Sequence, residues 1–289
     1  MKARFIMDYP GRLSVRRKCE LAELPRSTYY LYASRNREES RRARRDRCML
    51  VQIKAQFEQS RKTYGSRRIY RALKQHHVRC GRHRVARLMR LDEMVAVERR
   101  KYQHTTNSKH DYPVAPDLLK RDFQAAQPNQ VYVADISYIP TDEGWLYLAT
   151  EMDLCSHRIV GWSLSSRISR QLVMDALEMA LGRRRPGPGL IHHSDRGVQY
   201  ACGDFQRLLR EHGMRPSMSR KGDPYDNAVA ESFFKTLKAE LIYRRRFQTR
   251  LQARMEIVEF IEVFYNGQRL HSSLGYLSPA EYEKRLQAA

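Results

Sequence analysis

Little in this 289-residue chain points to a secreted, membrane-bound or disulfide-built protein. Its cysteines, Cys19, Cys48, Cys80, Cys155 and Cys202, are few, odd in number and widely separated, and none forms a C-x-x-C pair. That excludes a disulfide framework and a cysteine-based zinc knuckle, and it fits a reducing cytoplasm. His76 and His77, close to Cys80, read as the surface of a basic helix rather than as metal ligands. No apolar run approaches the roughly 18 residues that span a bilayer, and no signal-peptide core opens the chain. The expectation is a soluble protein of the cytoplasm with no membrane partner. A Gly-x-Ser-x-Gly elbow is also missing, which removes the serine-hydrolase reading of His193 and Ser194.

Acidic residues are in short supply, and unevenly so. The chain has 54 Lys+Arg against 32 Asp+Glu, a formal net charge of +22. Residues 1–110 hold 30 of the bases and only 10 of the acids; the rest of the chain holds 24 and 22. Part of such an excess can be solvated helix surface, but an imbalance this large and one-sided implies a polyanionic partner gripped by the front of the chain. The back half has the composition of an ordinary acid-containing enzyme domain.

What is present begins with helices. Arg12–Cys19, a turn over Glu20–Pro25 and a second helix from Ser27 to Tyr32 read as a helix-turn-helix, with Ser27 as cap and Arg26, Ser27 and Thr28 placed to read bases. A long Arg-rich helix is predicted over 35–62, with Leu50, Ile53 and Phe57 as its apolar stripe. Gly65 then breaks the chain, Ser66 is expected to cap a helix to His77, and a turn at Cys80-Gly81 leads into a helix over Arg82–Leu91. Arg67, Arg68, Arg82 and Arg84 are its candidate DNA contacts. The division expected is an N-terminal helix-turn-helix with basic helix over 1–62, a second such unit over 63–98, and a linker over 99–128 carrying Pro113, Pro116 and Pro128. The catalytic domain is expected over 129–289.

Beyond the linker the period changes. Strands are expected at Val131–Ile139, Trp145–Thr150, Ile159–Leu164, Leu190–Ser194 and Arg215–Ser219, and helices at Gln171–Arg184, Asp204–His212, Ala228–Leu241 and Leu251–Tyr265. That order indicates an α/β domain, a mixed sheet flanked by helices, behind an all-α DNA-binding region.

Three acids stand out against this pattern. Asp135 interrupts an apolar strand, which is costly unless the carboxylate is paired or meets a cation. Asp195 lies just past the end of a short strand, where such folds place ligand groups. Glu231 is near the start of a helix, and Lys235 and Lys238 follow on the same helical face. Taken singly, each acid could be a cap or a surface charge. Convergent carboxylates suit hard divalent cations, and a pair of ions can clamp both oxygens of a phosphoryl displacement.

Four segments resemble one family closely: Asp135-Ile136-Ser137-Tyr138-Ile139; His193-Ser194-Asp195-Arg196-Gly197-Val198-Gln199-Tyr200; Gly222–Ala228 running on through Glu231-Ser232-Phe233-Phe234 to Leu237-Lys238; and Tyr265-Asn266, Arg269, His271–Tyr276 and Ser278-Pro279. With 35 residues between Asp195 and Glu231, the chain resembles the OrfB-type transposases of the IS-three insertion-sequence family, relatives of retroviral integrases within the DDE superfamily. The resemblance implies an RNase H-like core in which Asp135, Asp195 and Glu231 are catalytic and hold two magnesium ions, with manganese as a substitute. It implies cleavage and strand transfer on double-stranded DNA, both transposon ends and target, by a homo-oligomer. It also matches Lys238, which with Lys235 lies on the Glu231 face of the helix as a candidate DNA contact; Arg269 and His271 are expected either to touch DNA or to cap structure, His193 to orient Asp195 or contact phosphate, and Asp226 and Asn227 to cap the helix in support. The chain departs from the family in having no tryptophan within Val131–Val133, and Ala134 and Ser137 where threonine is common; none of these is a ligand. Without sustained a/d heptads, the chain is expected to be a downstream reading-frame product that an upstream, zipper-bearing product could complete. A regulator that binds DNA without cutting it and a structure-selective nuclease are the alternatives the residues leave open.

Overall fold

The computed structural model describes residues 1–37, 41–96, 112–220 and 228–288. These form two compact units, Met1–Val95 and Ala96–Ala289.

The first unit is all helical: α1 (Lys2–Asp8), α2 (Val15–Leu21), α3 (Arg26–Arg37), α4 (Arg41–Gln59), α5 (Ser66–Gln75) and α6 (Arg82–Leu91). Ile6, Cys19, Tyr29 and Ala33 join α1, α2 and α3 in a small core. The serine that caps α2 is Ser14, whose hydroxyl accepts the Arg17 N–H. Helix α3 already begins at Arg26, so Ser27 lies within its first turn and is not the cap expected of it. The expected cap at Ser66 is corrected likewise: Gly65 holds the extended N-cap position, and Ser66 is the first helical residue. The predicted stripe on α4 buries Ile53 and Phe57, and α5 and α6 bury Ile69, Leu73, Val85 and Leu88. Helix α4 packs on α5 and α6, so the basic helix groups with them and not with α1–α3, as a boundary at residue 62 had it. That boundary fell on a polar turn, whereas the apolar stripe of α4 decides its partner.

The second unit has a five-stranded sheet in the order β3-β2-β1-β4-β5. β1 (Val131–Thr141), β2 (Gly144–Asp153) and β3 (Ile159–Ser165) form an antiparallel meander; β4 (Ile191–Ser194) and β5 (Arg215–Met218) extend it in parallel. Period-two alternation sends Val131, Val133 and Ile139 to one face, under α10 (Ala228–Glu240) and α11 (Arg250–Glu259), and Tyr132 and Ala134 to the other. That second face is covered by α7 (Arg170–Arg184), α8 (Val198–Ala201) and α9 (Gly203–Glu211). Helix α7 lies close on β3 because Gly161 has no side chain: a Cβ there would stand 2.1 Å from the Ala176 carbonyl oxygen. The segment 112–128, expected as linker, is partly core: Leu119 is buried with β1, and the Ser217 hydroxyl accepts the Leu118 N–H.

The C-terminal helix α12 (Pro279–Gln287) is not among the expected elements. Ser278 caps it and Pro279 starts it. Its buried Glu283 accepts hydrogen bonds from Arg158, Ser156 and Arg184, tying the chain end to α7 and the β2–β3 turn. No described helix is long and apolar enough to cross a membrane.

Candidate active site

Asp135 sits mid-strand on β1, opposite Thr150 of β2. By alternation it shares the α10 face with Val133 and Ser137. It is half-buried, and its Oδ1 accepts the Ile136 N–H at 2.8 Å. Burial lifts its carboxyl well above the usual carboxylate range, the charges of Asp195 and Glu231 lift it further, and the Lys238 ammonium opposes them. The three acids are carried by β1, the exit of β4 and the first turn of α10.

The position of Asp195 follows from strand register. β4 runs parallel to β1 with His193 beside Val133, so two residues further on Asp195 emerges next to Asp135. Its Oδ1 accepts the Gly197 N–H at 2.8 Å, and a Cβ on Gly197 would meet that oxygen at 2.9 Å. Glycine therefore lets the carboxylate fold back over the start of α8. Arg196 donates to the Ser219 carbonyl at 2.7 Å, joining this loop to the end of β5.

Glu231 occupies the first turn of α10, where the helix dipole favours a negative charge. Ala230, Phe233, Phe234 and Leu237 bury the opposite side of the helix. Lys235 Nζ donates to Glu231 Oε2 at 2.8 Å, an ion pair within the helix. Lys238 is half-buried; burial lowers its ammonium pKa and Asp135 raises it. Among the described residues, no three His, Cys, Asp or Glu side chains lie close enough together to hold a metal ion directly. Glu231 is turned to Lys235. Asp226 and Asn227 lie outside the described residues.

The donor set nevertheless suits a hard divalent cation. It consists of carboxylate oxygens, partly withdrawn from water and mutually repelling, with the half-buried Lys238 ammonium acting on Asp135. Among the described residues, the buried hydroxyls of Ser137, on the Asp135 face, and of Tyr200 have no hydrogen-bond partner. The Tyr200 hydroxyl is subject to the charges of Glu151, Asp195 and Asp135.

Other expected site residues fall elsewhere. Arg269 is buried and doubly bonded to Glu240 at 2.9 and 2.7 Å, and its guanidinium lies over the Tyr265 ring. It is a core ion pair and not a DNA contact. His271 is buried and packs edge-on to Tyr265, with ring centroids 4.9 Å apart. His193 is fully buried with Nδ1 2.8 Å from the Ser217 hydroxyl, so its ring has no surface to offer a phosphate. In the first unit, Arg26, Ser27, Thr28, Arg67 and Arg82 are exposed. Arg68 lies over the Tyr64 ring, and Arg84 donates to Asp46 at 2.7 Å. Together with Arg87, Arg84 holds the Asp46 carboxyl below its ordinary range.

Sequence reasoning passed over Glu151 and His192. Both are buried, and His192 Nε2 lies 3.0 and 3.1 Å from the two Glu151 oxygens, behind Tyr200 and Phe205. The rule that singled out Asp135, a carboxylate inside an apolar strand, applies equally to Glu151.

Residues 125–224 match the family described as Integrase core domain, residues 212–279 match a second family of that description, and residues 43–102 match an HTH-like domain. An uncharacterized 31 kDa protein of insertion element IS600 from Shigella sonnei is 43% identical over 92% of this chain and 97% of its own. The transposase for insertion sequence element IS904 from Lactococcus lactis is 46% identical over 80% of this chain and 92% of its own. Transposase InsF for insertion sequence IS3A from Escherichia coli is 40% identical over 99% of both chains. Identity of that degree, sustained from end to end, places the chain in the integrase-core transposase family of the IS3-type insertion sequences.

Proposed function

We propose that this chain cuts insertion-sequence ends and joins them to target DNA through a divalent-ion site held by Asp135, Asp195 and Glu231. The observation that carries this reading is Asp135: a carboxylate inside a strand, its charge opposed by burial and by two further acids from distant elements. Such an arrangement is unfavourable in the apo protein and becomes favourable with a cation bound.

Magnesium or manganese, two ions by the family's pattern, would supply the Lewis acidity that makes a nucleophile of water and then of a 3′-hydroxyl and that neutralises charge on the phosphodiester. The chain's own part is positional. Strand register holds Asp135 and Asp195 side by side, and the first turn of α10 brings Glu231 toward them. Lys238, half-buried beside Asp135, adds a positive charge where phosphate charge would develop. The exposed bases of the first unit would hold the double helix, and the enzyme would act in the cytoplasm, at the nucleoid, as an oligomer on paired ends. An upstream reading-frame product could add end recognition.

Glu231→Gln tests the assignment. With magnesium and end-bearing duplex, the variant should lose roughly 10³-fold or more of strand cleavage, with DNA affinity unchanged in a gel-shift assay. Cleavage at the wild-type rate would refute it.

A further inference from the structure

Within the first unit, α4 and α6 meet at an open cleft of about 590 Å³, lined by Arg42, Arg45 and Asp46 from one helix and His83, Arg84 and Arg87 from the other. Its charge is lopsided. Over residues 41–47 and 82–91 the two helices carry nine arginines and a single acid, Asp46.

Asp46 divides its oxygens between two arginines: Oδ1 accepts from Arg84 Nε at 2.7 Å and Oδ2 from a terminal nitrogen of Arg87. One carboxylate cannot neutralise four guanidinium groups. Arg42, Arg45 and His83 are exposed and, among the described residues, have no acidic partner. Each guanidinium has five N–H groups, so Arg84 and Arg87 keep further donors beyond those that Asp46 takes. The cleft is left with a net charge of about +3 even with His83 neutral.

The two walls are fixed to one another. Asp46 ties α4 to Arg84 and Arg87, and eight residues further on Lys54 Nζ lies 2.9 Å from Asp92. The helices therefore advance in the same direction, and the cleft lies at the N-terminal end of both. There the helix dipoles add to the positive field, and neither helix has an acid in its first turn. Planar guanidinium forks held in place match the oxygens of a phosphate. A single phosphate would use one or two of them. Cations on both walls suit a run of phosphates.

We propose that the α4–α6 cleft seats the phosphodiester backbone of duplex DNA and reads no sequence. Arg84, at the start of α6 where base contacts were expected, is turned to Asp46, and Arg42 and Arg45 come from the neighbouring helix. Phosphates carry no sequence information, so this contact holds any duplex equally, and recognition of the ends has to come from elsewhere. The occupant rests on the reading that the chain acts on DNA; cleavage chemistry does not enter.

The test uses the full chain in metal-free buffer and follows fluorescence anisotropy on two labelled duplexes of equal length, one carrying the insertion-sequence end and one of unrelated sequence. Arg42→Gln with Arg45→Gln should weaken both by the same factor and make the log–log salt slope shallower by roughly two. Arg44→Gln with Arg90→Gln removes the same charge from exposed positions outside the cleft and should leave the slope near that of wild type. Equal slopes for the two double variants would overturn the proposal, since any basic surface would then serve. A loss confined to the end-bearing duplex would overturn it as well, because the arginines would be reading bases. Inorganic pyrophosphate is the third probe. Its uptake in calorimetry, abolished by Arg42→Gln with Arg45→Gln while duplex binding stays intact, would make the cleft a site for a free phosphate compound instead. If wild type binds neither duplex, the DNA reading itself fails and the proposal falls with it.

Discussion

Lys235 Nζ lies 2.8 Å from Glu231 Oε2, one helical turn along α10, so the acid brought nearest to Asp135 from that helix is held by its own neighbour. A divalent ion recruiting Glu231 has to displace this ammonium. Lys235→Met should therefore bind manganese several-fold more tightly than wild type when DNA is absent, as titration calorimetry would read. Unchanged or weaker binding would show that Lys235 does not compete for the carboxylate.

Asp135 gives a signed pH dependence. Burial, Asp195 and Glu231 raise its folded pKa, so folding favours the protonated form. Its contribution to stability is full below the unfolded pKa and is lost as pH rises through the raised folded value. Metal-free protein should therefore lose stability between mildly acid and neutral pH. Asp135→Asn should remove that slope and raise the neutral-pH Tm by about 2–4 °C. Magnesium should raise the Tm of wild type but not of the variant. Calorimetric scans at the two pH values, with and without magnesium, decide it.

Arg269 is predicted to matter for folding rather than for DNA. Its side chain and that of Glu240 are 2% and 8% exposed, so removing one partner strands a buried charge. Arg269→Met should cost about 3–5 kcal/mol, and the double change with Glu240→Leu should recover most of it. Denaturant melts of the three variants test this. A stable single variant with weakened DNA binding would restore the DNA-contact role.

In the first unit, Asp46 accepts from both Arg84 and Arg87 and so offsets two cations that would otherwise be available to phosphates. Asp46→Asn should release them. DNA affinity should rise at low salt, and the log–log salt slope should steepen by roughly one to two. An unchanged slope would mean that these arginines never reach the duplex.

Much of this protein could be read from local pattern. Alternation along Val131–Ile139 marks β1, and Arg82–Leu91 is bounded correctly by Gly81 and its own apolar spacing. Helix α12 went unseen because Glu281, Glu283, Lys284 and Arg285 make it look like a polar tail, and only Arg158, Arg184 and Ser156 bury Glu283. Arg269 and His271 looked like DNA contacts for the same reason: their type suggests a surface, and burial is not a local property.

The sequence by itself determined the strands and most of the helices, the uneven charge, and the identity and spacing of three acids, because backbone period and side-chain chemistry are written residue by residue. Tertiary structure alone decided which of those charges face one another. Parallel register sets Asp195 beside Asp135, helix geometry gives Glu231 to Lys235, and packing turns Arg269 inward to Glu240. Electrostatic partnership depends on distances of a few ångströms between elements tens of residues apart, and only the packed fold sets those distances.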